Sequence, residues 1–157
     1  DGIRDKLVTG VQTCALPISR LRFIGHLDAV KPALTVAENL SFWQALWGGD
    51  ATIRDALAAL DLAHLADFPA RLLSAGQRHR LALSRLLAAP APLWLLDEPG
   101  NALDDRSLGL LAAAIAGHRA KGGMVIAASH GAAPLGDYRE LDVGAFTAQE
   151  AHWSEAV

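Results

Sequence analysis

The sequence predicts an α/β fold: a parallel core sheet with flanking helices and a small helical subdomain. Short apolar runs at 21–24, 93–96 and 124–128 each close on a glycine or polar residue, as buried strands do. Segments of helical period lie between them, and two open on capping residues, Thr35 and Ser74. The run at 93–96, LWLL, is continuously apolar, which suits a strand covered on both faces of a parallel sheet.

Bulk properties set the limits. The 157 residues are enough for one domain with a buried core. A hydrophobic share of 52% against 20% charged is that of a globular chain and not a disordered one. A net charge of -3 argues against a nucleic-acid partner held by bulk electrostatics. No uncharged apolar run reaches the roughly 18 residues of a membrane helix. The nearest, 81–96, carries Arg85 and two prolines. The single cysteine, Cys14, leaves no internal disulfide framework.

The first eighteen residues read as foreign to the rest. The string VTGVQTCALPI at 8–18 looks like the translation of a common sequencing-adapter oligonucleotide, and DGIRD at 1–5 like another part of it. Lys6 and Leu7 would then be the index between them. The expectation is that residues 1–18, Cys14 included, are non-native, and that native sequence starts near Ser19.

From there the elements follow in order. The strand at 21–24 is closed by Gly25, and Pro32 disfavours helix before it. Thr35-Val36-Ala37-Glu38 reads as a capping box opening a helix with Val36, Leu40, Trp43 and Trp47 on one stripe. Gly48 and Gly49 stop it. A second amphipathic helix carries Ile53, Leu57 and Leu60 and ends before Phe68-Pro69. Ser74 then caps a helix running to about Ala88.

Its hydroxyl, the small Ala75 and Gly76, and the free N–H groups of the first turn make a natural phosphate seat; an ordinary capped helix is the plainer alternative. The strand at 93–96 ends in Asp97-Glu98-Pro99, two acids at the carboxyl end where α/β sheets hold ligands, or else a solvated acidic turn. A further helix buries Leu108, Leu111, Ala112 and Ile115, ends near Arg119 and is broken at Gly122-Gly123. His130 lies just past the strand at 124–128. Residues 140–146 alternate loosely enough for one edge strand, and the tail from Thr147 is uninformative. His64, His79, His118 and His152 have no metal-ligand spacing and read as solvated helix faces.

Taken together, Leu73-Ser74-Ala75-Gly76-Gln77 with Arg80 and Ser84-Arg85, then 93–99 (LWLLDEP), Asn101-Ala102-Leu103-Asp104 and Ser129-His130 resemble the second half of an ATP-binding-cassette (ABC) ATPase. The likeness covers about 21–143 and implies a partial P-loop NTPase cassette, with a helical subdomain at about 34–72 and the catalytic core return at about 73–146. It implies ATP and Mg²⁺ as cofactors. Ser74, Ala75, Gly76 and Gln77 would be the signature seat for the γ-phosphate bound by the opposite subunit, and hence imply a homodimer. Asp97 would hold Mg²⁺, Glu98 would be general base and His130 the switch histidine on the γ-phosphate. Asp104 falls in the D-loop, an expected dimer contact, with Asn101 where the family commonly has Ser. Leu34-Thr35-Val36-Ala37-Glu38-Asn39 matches the family's segment after the Q-loop, and eight residues before it stands His26 where Gln or Glu is usual. A histidine there can donate or accept a hydrogen bond toward the nucleotide site. Equally, it can simply end a strand.

Ile24-Gly25-His26, LTVAENLSF at 34–42 and the compact helical subdomain narrow the likeness to the ATP-binding subunits of haem exporters of bacterial cytochrome c maturation. That implies a peripheral subunit on the cytoplasmic face of the inner membrane, paired with integral membrane permease subunits and binding no nucleic acid. Another exporter or antibiotic-resistance ATPase is the alternative within the class. A soluble ABC protein of translation or chromosome maintenance is disfavoured because no heptad arm is present. No G-x-x-x-x-G-K-[ST] occurs in the sequence, so the chain as given is expected to be inactive alone, and missing sheet strands would expose apolar edges.

Overall fold

The computed structural model describes residues 20–130 and 135–142. The expectations for residues 1–18, for the strand at 140–146 beyond residue 142, and for His152 in the tail lie outside the described residues. The elements run β1 (Leu21–Ile24), α1 (Val36–Trp47), α2 (Ile53–Ala58), α3 (Ala75–Ala88), β2 (Leu93–Asp97), α4 (Asp105–Ala120) and β3 (Met124–Ala128). Short 3₁₀ turns at Ala63–Leu65 and Ala70–Leu72 join α2 to α3. The sheet has the order β1-β2-β3 with both pairings parallel, so the α/β expectation holds.

Parallel neighbours need a crossover between them, and the helices that make it pack on the sheet. Ile24, Trp94 and Leu96 point into a core closed by Leu83 and Leu86 of α3 and Leu111 and Ile115 of α4. A second core joins Val36 and Leu40 of α1, Leu57 of α2, Leu73, and Leu81 and Ala88 of α3. Helix α3 therefore belongs to both, and it fixes the helical subdomain against the sheet.

The expectation that β2 is covered on both faces is corrected. Its burial alternates along the strand, with Trp94 and Leu96 buried and Leu93 and Leu95 only half-buried. The register places Leu21, Leu93 and Met124 in one row and Phe23, Leu95 and Ile126 in the next. Phe23, Met124 and Ile126 are 55%, 60% and 62% exposed, so this face is apolar but open. Continuous apolarity signals a strand suited to two covers, yet the described helices supply only one.

The second helix is also shorter than its periodicity suggests. It stops at Ala58 because Asp61 takes a left-handed backbone with φ 57°, and Leu62 N–H turns back to Leu57 O at 2.8 Å. The Asp61 carboxylate is drawn outward, 3.0 Å from Arg106 Nη2 and 3.7 Å from Arg80 Nη1. The break sends Leu60 into the sheet core and Leu62 into the helical one. On β1, Arg22 faces inward; its Nε–H donates to Ala89 O at 2.7 Å and its Nη2–H to Trp47 O at 3.2 Å. This buried guanidinium ties the strand to the ends of α1 and α3, and burial holds its pKa below the usual arginine value.

Helix α1 opens as expected. Thr35 Oγ1 accepts from Glu38 N–H at 3.2 Å while Thr35 N–H donates to Glu38 Oε2 at 2.8 Å. Gly48, at φ 74°, closes the helix with its N–H on Gln44 O. Thr35→Ala removes one of these bonds and is expected to lower the unfolding free energy by about 1 kcal/mol in chemical denaturation.

Candidate nucleotide site

Because β1, β2 and β3 run parallel, their carboxyl ends form one rim, and the chemistry-bearing residues gather there. His26 follows β1, and its Nδ1 lies 3.6 Å from Oδ2 of Asp97, the last residue of β2. Glu98 comes next. Its N–H still donates to Ala128 O of β3 at 2.9 Å, but its φ is 49°, so the chain turns off the sheet in the left-handed region. For a residue other than glycine that conformation costs about 1–3 kcal/mol and calls for outside support. The carboxylate is held by the two residues just past β3: His130 N–H donates to Oε1 at 2.8 Å and Ser129 Oγ–H to Oε2 at 3.3 Å. His130 Nε2 stands 3.9 Å from Oε1 with its side chain fully exposed. The structure thus brings four of the expected site residues together: His26, Asp97, Glu98 and His130.

The remaining ones form a second group. Ser74 Oγ accepts from Gln77 N–H at 3.2 Å, and Ser74 N–H donates to Gln77 Oε1 at 2.8 Å. Gln77 is therefore the far half of a capping box, which the Ser-x-x-Gln spacing could have signalled. Ala75 and Gly76 keep the first-turn N–H groups this cap leaves open. Gly76 has a further reason to lack a side chain: a Cβ there would stand 2.6 Å from Ala102 O, on a turn where Ala102 itself has φ 58°. The start of α3 and the turn at 101–104 are thus in backbone contact.

Asp104 caps α4, its Oδ1 accepting from Ser107 N–H at 2.8 Å. That hydrogen bonding to Ser107, with smaller help from Arg80 and Arg106, holds its carboxyl below the usual aspartate range. A depressed folded pKa stabilises the native state above the unfolded value of about 3.9, and the contribution disappears as pH falls through the lower folded value. Wild type is therefore expected to exceed Asp104→Ala in stability at neutral pH, with the gap closing in strong acid when the two are unfolded by heat across a pH series.

Two histidines depart from expectation. His79, which its spacing places on a solvated helix face, is buried, its Nδ1 2.8 Å from Asp28 Oδ1 and its Nε2 3.2 Å from Pro99 O. A partner 51 residues away in sequence gives a helical pattern no way to signal this. His118 is not free in solvent either: its ring stacks on Trp94 at 3.9 Å between centroids and 6° between planes. His64 is exposed, as expected.

Among the described residues no group of three or more His, Cys, Asp or Glu could hold a metal by itself. Asp97 offers one half-exposed carboxylate at the rim, which fits a Mg²⁺ completed by phosphate and water oxygens.

The sequence model described as "ABC transporter" matches residues 4–101. The chain belongs to the ABC transporter family. Among curated ABC proteins, the cytochrome c biogenesis ATP-binding export protein CcmA of Rhodospirillum rubrum is 55% identical over 112 residues, covering 71% of this chain and 48% of that protein. The protein of the same name from Nitrobacter winogradskyi is 55% identical over 124 residues, covering 78% and 61%. The chain therefore spans about half to three-fifths of the length of these relatives. Among solved structures, a dimeric post-hydrolysis state of the ATP-binding cassette MJ0796, bound to ADP and Pi, superposes with a TM-score of 0.61 at 25% identity. The match covers 71% of this chain and 53% of that one, so the fold is that of a partial ABC ATPase cassette.

Proposed function

We propose that residues 19–157 serve as the signature and Walker B portion of the ATP-hydrolysing subunit of an ABC exporter, one that drives haem export for cytochrome c biogenesis. The helical subdomain at about 34–72 and the catalytic return at about 73–146 belong to that reading. So do a homodimer sandwiching ATP, integral membrane permease subunits as partners, and a peripheral place on the cytoplasmic face of the inner membrane. One observation carries the chemistry: Glu98, flanked by Asp97, has its carboxylate fixed by Ser129 and His130, just past β3. The export role rests on the relatives named for cytochrome c biogenesis.

In this reading Glu98 is the general base that takes the proton of the attacking water, and its fixed oxygens set the direction of that transfer. The His130 ring, exposed beside it, donates to the γ-phosphate. His26 hydrogen-bonds at the nucleotide rim and senses the membrane partner. Ser74 Oγ–H and the N–H groups of Ala75 and Gly76 receive the γ-phosphate held by the opposite subunit, at the positive end of α3. Gln77 keeps that seat in shape, and Asp104, at the start of α4, lies at the dimer contact. Asp97 would hold Mg²⁺, which when bound neutralises charge on the phosphates.

The sequence has no G-x-x-x-x-G-K-[ST] loop to cradle the β-phosphate, so this chain alone is expected to show no turnover. Residues 19–157 joined to the phosphate-loop portion of the Rhodospirillum rubrum relative are expected to hydrolyse ATP, and haem with the permease subunits to stimulate it. A well-folded fusion that binds ATP without turnover sinks the ATPase reading. Stimulation by permease alone, indifferent to haem, leaves an exporter with another cargo.

A further inference from the structure

His79 is a buried titratable group that the chemistry above does not use; it is 5% exposed and sits on the second turn of α3. Its two ring nitrogens face Asp28 Oδ1 at 2.8 Å and Pro99 O at 3.2 Å. Both partners are acceptors only, a carboxylate oxygen and a carbonyl. A ring with one proton can serve one of them and must aim a lone pair at the other. A ring with a proton on each nitrogen serves both, and the charge it gains is answered by Asp28 in the same contact.

The charged groups around the ring fit that state. From the loop after β1 comes Asp28, only a quarter exposed. From α3 comes Arg85, whose guanidinium lies over the Trp43 ring; burial lowers its pKa to about 10, and the charge of Asp28 opposes that shift. From the turn after β2 comes Glu98, whose carboxylate is turned to Ser129 and His130. Asp28 thus lies against the ring of His79 and within electrostatic reach of Arg85, both on one helix.

Three segments meet at this ring: the loop that carries His26 two residues before Asp28, the signature helix, and the turn that follows Glu98. We propose that His79 is held as an imidazolium and acts as a positioning residue, locking those three segments together and steadying the left-handed turn at Glu98 through Pro99 O. The positioning role rests on the reading of Glu98 as the base, whereas the charge state does not.

The test is nuclear magnetic resonance on the full chain with nitrogen-labelled histidine at neutral pH. Wild type is expected to show a bonded proton on each nitrogen of His79, and Asp28→Asn to lose one of them. In His79→Gln, amide exchange at Glu98 and Asn101 is expected to rise about tenfold or more, as loss of a charge-assisted hydrogen bond implies, with Leu111 and Ile115 in α4 unchanged. A singly protonated ring in wild type overturns the proposal, as does exchange in the variant that is unaltered or raised uniformly. If His79→Gln does not fold, the ring-proton comparison with Asp28→Asn still decides. Neither readout needs nucleotide, so an inactive fusion would count against the hydrolysis reading and not against this one.

Discussion

Glu98→Gln in the fused cassette is expected to lower ATP turnover by about 10²–10⁴-fold, the range a positioned general base contributes. The substitution isolates the chemistry. A glutamine Oε1 can still accept from His130 N–H, now at 2.8 Å from the carboxylate, and Ser129 Oγ can turn to accept instead of donate. What disappears is the negative charge and the capacity to take a proton. ATP affinity is therefore expected to hold while single-turnover hydrolysis collapses, and the nucleotide-bound dimer should accumulate because it no longer resolves. Turnover within tenfold of wild type would remove Glu98 from the role of base. Weakened ATP binding with a normal chemical step would give it a ground-state role instead.

Gly76→Ala is expected to destabilise the fold by about 1–3 kcal/mol, as overpacking against a fixed neighbour does. The atom in the way is Ala102 O, 2.6 Å from the added carbon. A flexible side chain could swing aside, but this is backbone in a turn whose own φ is 58°. Either the start of α3 or the turn at 101–104 has to shift, and both are elements of the proposed dimer contact. Gly109→Ala is the matched control, since on α4 its added carbon meets nothing within 4 Å. That change is expected to be neutral or to stabilise by up to about 1 kcal/mol through helix propensity. Urea denaturation of the three chains makes the comparison. Equal stability of Gly76→Ala and wild type would show that the turn yields freely.

Much of this architecture is legible locally. The strands at 21–24 and 124–128 and the end of the signature helix at Ala88 lie where the apolar runs and caps put them, because such signals need only neighbouring residues. The rim residues His26, Asp97, Glu98 and His130 could be located once their strands were known to be parallel, since each lies at or just past a strand end. What the sequence does not disclose is long-range. The stop of α2 at Ala58 depends on a left-handed Asp61 facing Arg80 and Arg106 from other elements. The burial of His79 depends on Asp28, and the second reason for Gly76 depends on Ala102. A periodic pattern reports which face is apolar and not which distant group will meet a polar one. The same holds for β2, where an apolar run states a capacity for two covers without saying how many are met.

The backbone of Glu98 has a wider meaning. Glycine would occupy a φ of 49° with no steric objection, so backbone conformation alone favours glycine here, whereas the carboxylate's bonds to Ser129 and His130 favour glutamate. The residue proposed to carry the chemistry thus stands against local backbone preference. Substitutions that relax this backbone would, in the proposed reading, silence the chemistry. If Glu98 is the proposed base, position 98 is a point of stability–activity trade-off, where relaxing the backbone and preserving the base pull in opposite directions.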